Sequence, residues 1–258
     1  MTEAEARASL SKYIAAKPAY IKYSKQIYAK YGGWINKYKG GFHAGVISSV
    51  IYMESNGKQA TVGDKSLGEI GLMQIAEYLP KALGMAASTR LDAETNVFLG
   101  CAEYNWEAAR FKFIFPEIVV NGSEDQWMLA RLAFSIGHGG TVGLIKAASK
   151  QGLIVRGRVY EGIEKYVMGG GATSLGSQSA WKVWLRVMRM RHQFDIGKAA
   201  VDDSFRAPVN NIPSPPTSTY KMPSKDVLFG PSEIAGIGIM AMLFLAGIGS
   251  FIYKRIKK

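Results

Sequence analysis

The feature that most constrains this chain is an uncharged segment near its C-terminus. Residues 234–253 read IAGIGIMAMLFLAGIGSFIY, twenty residues without a charged side chain. At ~1.5 Å of rise per residue, a helix of that length spans roughly 30 Å, the thickness of the hydrocarbon core of a bilayer. The segment therefore predicts one transmembrane helix, Ile234–Tyr253, and a single-pass protein held in a lipid bilayer. A basic tail follows at 254–258.

The N-terminal end predicts no secretory signal, because residues 1–17 lack an apolar run of the needed length. A basic tail is retained on the cytoplasmic side, so the rest of the chain would have to cross the membrane. Assembly into a particle that contains its own lipid avoids this conflict. We therefore favour the internal membrane of a virion as the location, with a bacterial cell envelope as the alternative.

The charge balance indicates an anionic partner. Lys and Arg number 32 against 20 Asp and Glu, which gives a net charge of +12. Such an excess fits an anionic lipid surface, a charged wall polymer or nucleic acid, and nucleic acid is the least favoured of these. Other virion proteins are further candidate partners. The single cysteine excludes an intramolecular disulfide framework.

The composition divides the chain into segments. They are a basic aromatic helical arm at 1–40, a helical domain at 41–168, a Gly/Ser-rich joint at 169–180, a basic amphipathic helix at 181–206, a Pro-rich spacer at 207–233, the transmembrane helix at 234–253 and the tail at 254–258. The arm could bind a lipid interface or a polyanion, or it could pack its tyrosines on the neighbouring domain with its lysines in water. The helix at 181–206 suits a membrane surface and a docking site about equally well.

Residues 42–168 carry the periodicity of a mainly α-helical domain. Apolar residues at helical spacing predict a first helix that ends near Gly57, and Asp92 opens a second. Further helices are predicted over 127–134 and 142–150. Strand signals are sparse, apart from short runs at 113–120.

Glu54 is the first candidate for chemistry. It lies in the last predicted turn of an apolar helix, beside Ile51 and Met53. The negative end of a helix dipole and apolar neighbours both favour the protonated form of a carboxyl group, which is the form that a general acid needs. On these residues alone, we favour the interpretation of Glu54 as an ordinary exposed glutamate at a helix end.

Three sequence motifs strengthen that candidate. Glu54-Ser55 is followed by the run at 66–74, SLGEIGLMQ. Asp92, Asn96 and Gly100 form the second motif, and the run at 133–139, AFSIGHG, forms the third. Together they resemble the lytic transglycosylase family, lysozyme-like enzymes that cleave the glycan strands of peptidoglycan. The resemblance covers about 100 residues and implies that the domain at 41–168 has a lysozyme-like helical fold.

The resemblance also implies site residues. Glu54 matches the single catalytic acid/base, and Ser55 a residue that positions the substrate. The segment Gly71, Leu72, Met73 and Gln74 matches the wall of the substrate groove. Phe134 and Ser135 stand where the family has a tyrosine, which contacts the catalytic carboxylate, and an asparagine. Ser135 or His138 could take over that contact.

The resemblance implies a lyase rather than a hydrolase. A lysozyme-type hydrolase uses two carboxylates, and the only nearby candidates for a second one, Asp64 and Glu69, read as loop charges. The family uses one acid/base together with the substrate's own N-acetyl and 6-hydroxyl groups, and yields a 1,6-anhydro sugar. We expect no cofactor, and no metal, since the three histidines are widely separated. The alternative hypothesis is a catalytically degenerate lysozyme-like protein that binds glycan or has a structural role.

Overall fold

The computed structural model describes residues 1–63, 68–172 and 179–209, and this part of the protein is mainly α-helical, as predicted. Its α-helices are α1 (Glu3–Ala15), α2 (Lys17–Tyr38), α3 (Ala44–Ser55), α4 (Tyr78–Ala82), α5 (Ala93–Ile114), α6 (Glu124–Ile136), α7 (His138–Lys150), α8 (Val159–Tyr166) and α9 (Ala180–Ala200). A short 3₁₀ turn at Ala87–Leu91 precedes α5. Within the described ranges, β pairing is limited to bridges from Ile70 to Val62 and Ile75.

Polar capping residues set where several helices begin. The side chain of Asp92 accepts a hydrogen bond from Thr95 N at 2.7 Å, and α5 starts there as predicted. Ser123 caps α6 in the same way, accepting from Gln126 N at 3.2 Å. These side chains satisfy backbone donors that the first turn of a helix leaves unpaired.

The strand signals at 113–120 were misleading. Helix α5 continues to Ile114, and the amides of Ile118 and Val119 then bond back to the carbonyl of Phe115 in a turn. Lys112 Nζ closes this turn by donating to the carbonyls of Pro116 and Val119, at 2.6 and 2.9 Å. Local capping of the carbonyls thus takes the place of strand pairing.

Helices α1 and α2 pack against the rest of the fold. They are separated at Ala16, and α2 packs along α3. The tyrosines at 13, 31 and 38 are buried, those at 20 and 28 are partly buried and Tyr23 is exposed, whereas the lysines at 12, 22, 25, 30 and 37 are exposed. The segment 1–40 therefore packs on the fold through part of its tyrosines and keeps these lysines in water.

Helix α9 is a core helix. Val183, Val187, Phe194 and Ile196 are fully buried, and α9 packs on α1, α2, α3 and α6. Its apolar face, expected on a membrane surface or at a docking site, is covered by the protein's own core. The helix also ends at Ala200, short of the predicted 206, because the chain becomes extended at Val201.

No helix among the described residues is long and apolar enough to cross a bilayer. The predicted span at 234–253 and the tail at 254–258 lie outside the described residues. The same holds for most of the spacer at 207–233 and for the centre of the joint, at 173–178.

Candidate active site

Glu54 lies in the last turn of α3, as the sequence predicts. The helix ends at Asn56, which has a left-handed φ of 52°, and Gly57 follows with a φ of 72°. Ser55 is buried, and its hydroxyl donates to Ile51 O at 2.9 Å and accepts from Gly57 N at 3.2 Å. Ser55 therefore stabilises the helix end that carries Glu54, and its side chain does not face the cavity described next.

The carboxylate of Glu54 faces a cavity of about 450 Å³ between the end of α3 and helices α1, α2, α6 and α9. The lining residues are Tyr13, Tyr20, Tyr52, Met53, Glu54, Asn56, Arg131, Ser135, Arg186, Arg189, Met190 and Gln193. The volume falls within the range typical of small-ligand pockets. An aromatic wall from α1–α3 thus faces a polar wall from α6 and α9.

The nearest group to Glu54 is a buried guanidinium. Arg131 Nη2 donates to Glu54 Oε1 at 2.6 Å, and the two side chains are 7 % and 27 % exposed. Arg131 Nε also donates to Gln193 Oε1 at 3.2 Å, which fixes the guanidinium from behind. The apolar surrounding expected for Glu54 is therefore wrong, because α6 contributes a cation from 77 positions further along the chain.

Two further arginines of α9 make the cavity cationic. Arg186 Nη1 donates to Ser135 Oγ at 3.3 Å, and Arg189 Nη2 donates to Ser9 Oγ at 2.6 Å. Partial burial, and then the proximity of Arg131, lower the pKa of the Arg186 guanidinium from its usual value. Three arginines and one glutamate line the space, so its surface is net positive.

The segment 71–74 is buried rather than groove-lining. Leu72 and Met73 have no exposed surface, and Gln74 is 5 % exposed. The Gln74 amide donates to the carbonyls of Thr61 and Gly71, at 3.0 and 2.6 Å. The expectation that Leu72, Met73 and Gln74 present side chains to a substrate is therefore not met in this structure, because the loop folds them into the core.

The second motif holds that loop in place. Asn96 Oδ1 accepts from Met73 N at 2.8 Å, and its Nδ2 donates to the carbonyls of Ile70 and Arg90, at 3.0 and 2.9 Å. Gly71 lies against the Asn96 side chain with a φ of 88°, and a Cβ there would overlap the amide. The sequence relates the first and second motifs only by their order and spacing. In the structure the two motifs are in direct contact. Ser66 of the first motif and the loop carboxylate Asp64 lie outside the described residues.

The third motif reaches the cavity through Ser135. Phe134 is half-buried, with its ring 5.0 Å from that of Tyr104 and 5.4 Å from the Arg131 guanidinium. His138, the other candidate for replacing the family's tyrosine, instead binds Glu107, with 2.6 Å between Nδ1 and Oε2. Of the two, only Ser135 shares the cavity with Glu54.

Sequence reasoning missed a cluster of carboxylates around Glu103 on α5. Tyr78 Oη donates to Glu103 Oε1 at 2.6 Å. Burial, reinforced by the charges of Glu107 and Glu69, raises the pKa of Glu103 to about 7, against the opposing effect of the Tyr78 hydrogen bond. The available signal was the spacing of Glu103 and Glu107, since residues four apart share a helix face.

No protein-family model matches the sequence, and no curated protein matches it significantly. The interpretation of the site therefore depends on its own residues. The described residues of the cavity include one carboxylate, Glu54, which is half-buried and paired with Arg131. Glu103, whose pKa burial raises to about 7, does not line this cavity. A positioned carboxylate allows acid–base chemistry.

Proposed function

We propose that the protein is a peptidoglycan lytic transglycosylase that cleaves the MurNAc–GlcNAc glycosidic bond with Glu54 as its single acid/base. The observation that carries the proposal is the position of Glu54, at the end of α3 and facing a cavity large enough for a ligand. A carboxylate that serves as acid and base has to reach its substrate from a site that bulk water does not dominate.

The contacts among the motifs support this proposal. Asn96 of the second motif binds the loop of the first, and Gly100 packs against Met73. Phe134 of the third motif contacts Arg131, which binds Glu54. Residues chosen only for their order in the sequence therefore form two sets of contacts, one between the loop and α5 and one from Phe134 through Arg131 to the proposed acid.

In the proposed reaction, Glu54 donates a proton to the glycosidic oxygen as the bond from that oxygen to C1 breaks. The N-acetyl carbonyl oxygen of the substrate forms a bond to C1. The Glu54 carboxylate then takes the proton of the 6-hydroxyl group, and O6 displaces the acetyl oxygen to give the 1,6-anhydro sugar. No water is consumed, and one residue alternates between acid and base.

Arg131 fixes the position of the Glu54 carboxylate. The first half of the cycle needs a protonated Glu54, and a neutral carboxyl group makes no ion pair with a guanidinium. Gln193 Oε1 also accepts from Arg131 Nε, so the guanidinium keeps one partner in that step.

Product analysis tests the proposal. Purified peptidoglycan is digested with the full chain, and the soluble products are examined by mass spectrometry. We expect muramic acid ends that are lighter by one water than hydrolytic ends, and no release of new reducing sugars. Reducing ends without anhydro-muramic acid would show a hydrolase, and the absence of soluble products would reject an enzyme.

A second candidate is a catalytically degenerate protein that binds glycan or has a structural role. Two observations favour it, the phenylalanine at 134 in place of the family's tyrosine and the pairing of Glu54 with Arg131. Sedimentation with insoluble peptidoglycan distinguishes the two. The degenerate protein would stay bound to intact sacculi, whereas the enzyme would release soluble fragments over time.

We further propose that the span at 234–253 anchors the protein in the internal membrane of a virion, from which the helical part opens the host cell wall during entry. The length and uncharged composition of that segment support the anchor. Immunoblotting of purified particles tests this setting. Detection only in membranes of uninfected cells would favour a cell-envelope enzyme.

A further inference from the structure

The polar wall of the cavity contains hydrogen-bond donors that the protein itself does not use. Within the described part of the chain, Gln193 Nε2 and Arg189 Nε are buried and have no hydrogen-bond acceptor. Both residues line the cavity, and Gln193 is only 4 % exposed. Buried donors are almost always paired, so two unpaired donors beside one cavity indicate a place for an acceptor from outside the chain.

The remaining polar atoms of Gln193 and Arg189 are held by neighbouring residues. Gln193 Oε1 accepts from Arg131 Nε, which leaves Nε2 of the same amide, at the lining of the cavity, as the donor without a partner. Arg189 is held by Ser9 Oγ and lies with its guanidinium carbon 5.1 Å from the ring of Tyr13. The donors are therefore pre-positioned, and a ligand would not have to order them on binding.

The charge of the cavity defines the kind of acceptor. Arg131, Arg186 and Arg189 face a single acidic group, Glu54. Partly desolvated arginines bind oxyanions through charge-assisted hydrogen bonds, which are stronger than those to a neutral carbonyl. The unused donors and the excess positive charge therefore point to the same chemistry.

We infer that this cavity is an oxyanion site that binds a carboxylate carried on the peptide substituent of the glycan, with Arg189, Gln193 and Arg186 as its donors. The identity of the ligand rests on the proposed function, since a peptidoglycan strand carries peptide carboxylates close to its sugars. The aromatic wall of Tyr20 and Tyr52 then contacts the aliphatic part of the same substituent. An oligomer of N-acetylglucosamine, which carries neither a peptide nor the lactyl carboxylate of MurNAc, lacks the anion and leaves the site empty.

The inference links ligand binding to Glu54. A carboxylate that enters the cavity competes with Glu54 for Arg131, because the same guanidinium borders both. Removing the charge of Glu54 should therefore tighten binding of the anion, whereas adding a negative charge at Gln193 should weaken it.

Calorimetric titration tests the site with the full chain in neutral detergent. The ligand is a GlcNAc–MurNAc disaccharide tetrapeptide, which contains no bond that the proposed reaction cleaves. The comparison ligands are the same molecule with its carboxylates amidated, peptide-free tetra-N-acetylglucosamine and inorganic phosphate. Binding is thus measured separately from turnover. A protein without catalytic activity would give the same binding result.

We expect the free carboxylate ligand to bind at least about 10-fold more tightly than the amidated ligand, as for loss of a charge-assisted hydrogen bond. Gln193→Glu keeps the acceptor for Arg131 and replaces the free donor by a charged oxygen, so it should weaken binding by a similar factor. Arg186→Gln should weaken it as well. The matched control Arg158→Gln removes an exposed arginine outside the cavity and should leave the affinity unchanged.

Equal affinity for the charged and amidated ligands would overturn the inference. Unchanged affinity of the Gln193→Glu variant, with an unfolding midpoint equal to that of the wild type, would overturn it as well. Binding of phosphate without binding of the disaccharide peptide would overturn the carboxylate assignment. Tight binding of both peptide forms would support the proposed substrate and still reject the oxyanion site, which separates the two proposals.

Discussion

Two glutamates of this protein lie in opposite surroundings. Glu54, at the end of α3, meets the buried Arg131 and a cavity wall with two more arginines. Glu103, on α5, is subject to burial and to the charges of two other carboxylates, which raise its pKa to about 7 against the effect of a hydrogen bond from Tyr78. Glu54, which the motifs select, is paired with an arginine. Glu103, which retains a proton near neutral pH, lies outside the motifs.

The difference teaches that position and protonation are separate requirements for an acid catalyst. Glu54 has access to a cavity and forms an ion pair with Arg131. Glu103 has the raised pKa of a general acid. The proposal for Glu54 depends on its access to the cavity. Substitutions of the two glutamates and their neighbours decide whether access to the cavity or a raised pKa governs activity.

The largest expected effect is on catalysis. Glu54→Gln should lower the rate of glycan cleavage by about 1,000-fold, within the range for loss of general acid–base catalysis. Glu103→Gln, the same chemical change on the other carboxylate, should leave most of the activity. Dye release from labelled sacculi measures both variants, and a reversed result would move the acid role to Glu103.

The next effect concerns stability at the cationic site. Arg131→Met should lower the free energy of unfolding by about 2 kcal/mol, less than for a fully buried pair because Glu54 is partly exposed. The double variant Glu54→Gln/Arg131→Met should recover part of that loss, since no charge remains unpaired. Urea unfolding of the four proteins measures the coupling. Additive losses would show that the two side chains do not stabilise each other.

A third effect concerns pH at the acidic site. The pKa of Glu103 rises from 4.5 to about 7 on folding. The folded state therefore holds this proton more tightly than the unfolded state. Ionisation of Glu103 lowers the free energy of unfolding, and this loss is absent below about pH 4.5, grows as the pH rises and is complete above about pH 7. After allowance for partial exposure, we expect it to reach about 2 kcal/mol.

Glu103→Gln is uncharged at every pH and keeps an oxygen that can accept from Tyr78. It should be more stable than the wild type at pH 8 and of similar stability at pH 4. Glu117→Gln, on an exposed turn, is the control for the loss of one negative charge. An identical pH dependence of unfolding in wild type and Glu103→Gln would contradict the assignment.

The smallest effect sharpens the role of Tyr78. Its hydroxyl lowers the pKa of Glu103 against the other influences, so Tyr78→Phe should raise that pKa further above about 7. The change should correspond to about 1 kcal/mol, the usual net contribution of one hydrogen bond. NMR titration of the Glu103 carboxyl carbon measures it, with Tyr23→Phe as the control. A lower pKa in Tyr78→Phe would contradict the hydrogen bond.

Local features of this fold could be predicted from the sequence. Asp92 begins a helix because its side chain caps the first turn, and α3 ends just after Glu54 because Asn56 and Gly57 adopt left-handed backbone conformations. These outcomes depend on a few neighbouring residues. The sequence also placed Asn96 in the same motif set as the loop that it binds.

Features set by distant contacts could not be predicted. Arg131 reaches Glu54 across 77 positions, and Tyr78 reaches Glu103 across 25, so no local pattern reports either pair. Helix α9 shows the same limit, because amphipathic spacing identifies an apolar face and not what covers it. The burial of Leu72 and Met73 likewise depends on how their loop closes against α5.

Helices α3 and α9 meet at two glycines. A Cβ on Gly45 would overlap the carbonyl oxygen of Gly197, and one on Gly197 would lie 2.5 Å from the Cα of Val46. A single added methyl group would therefore force the two backbones apart. Because α3 carries Glu54 and α9 carries Arg186, Arg189 and Gln193, these glycines hold together the two helices that contribute opposite walls of the cavity.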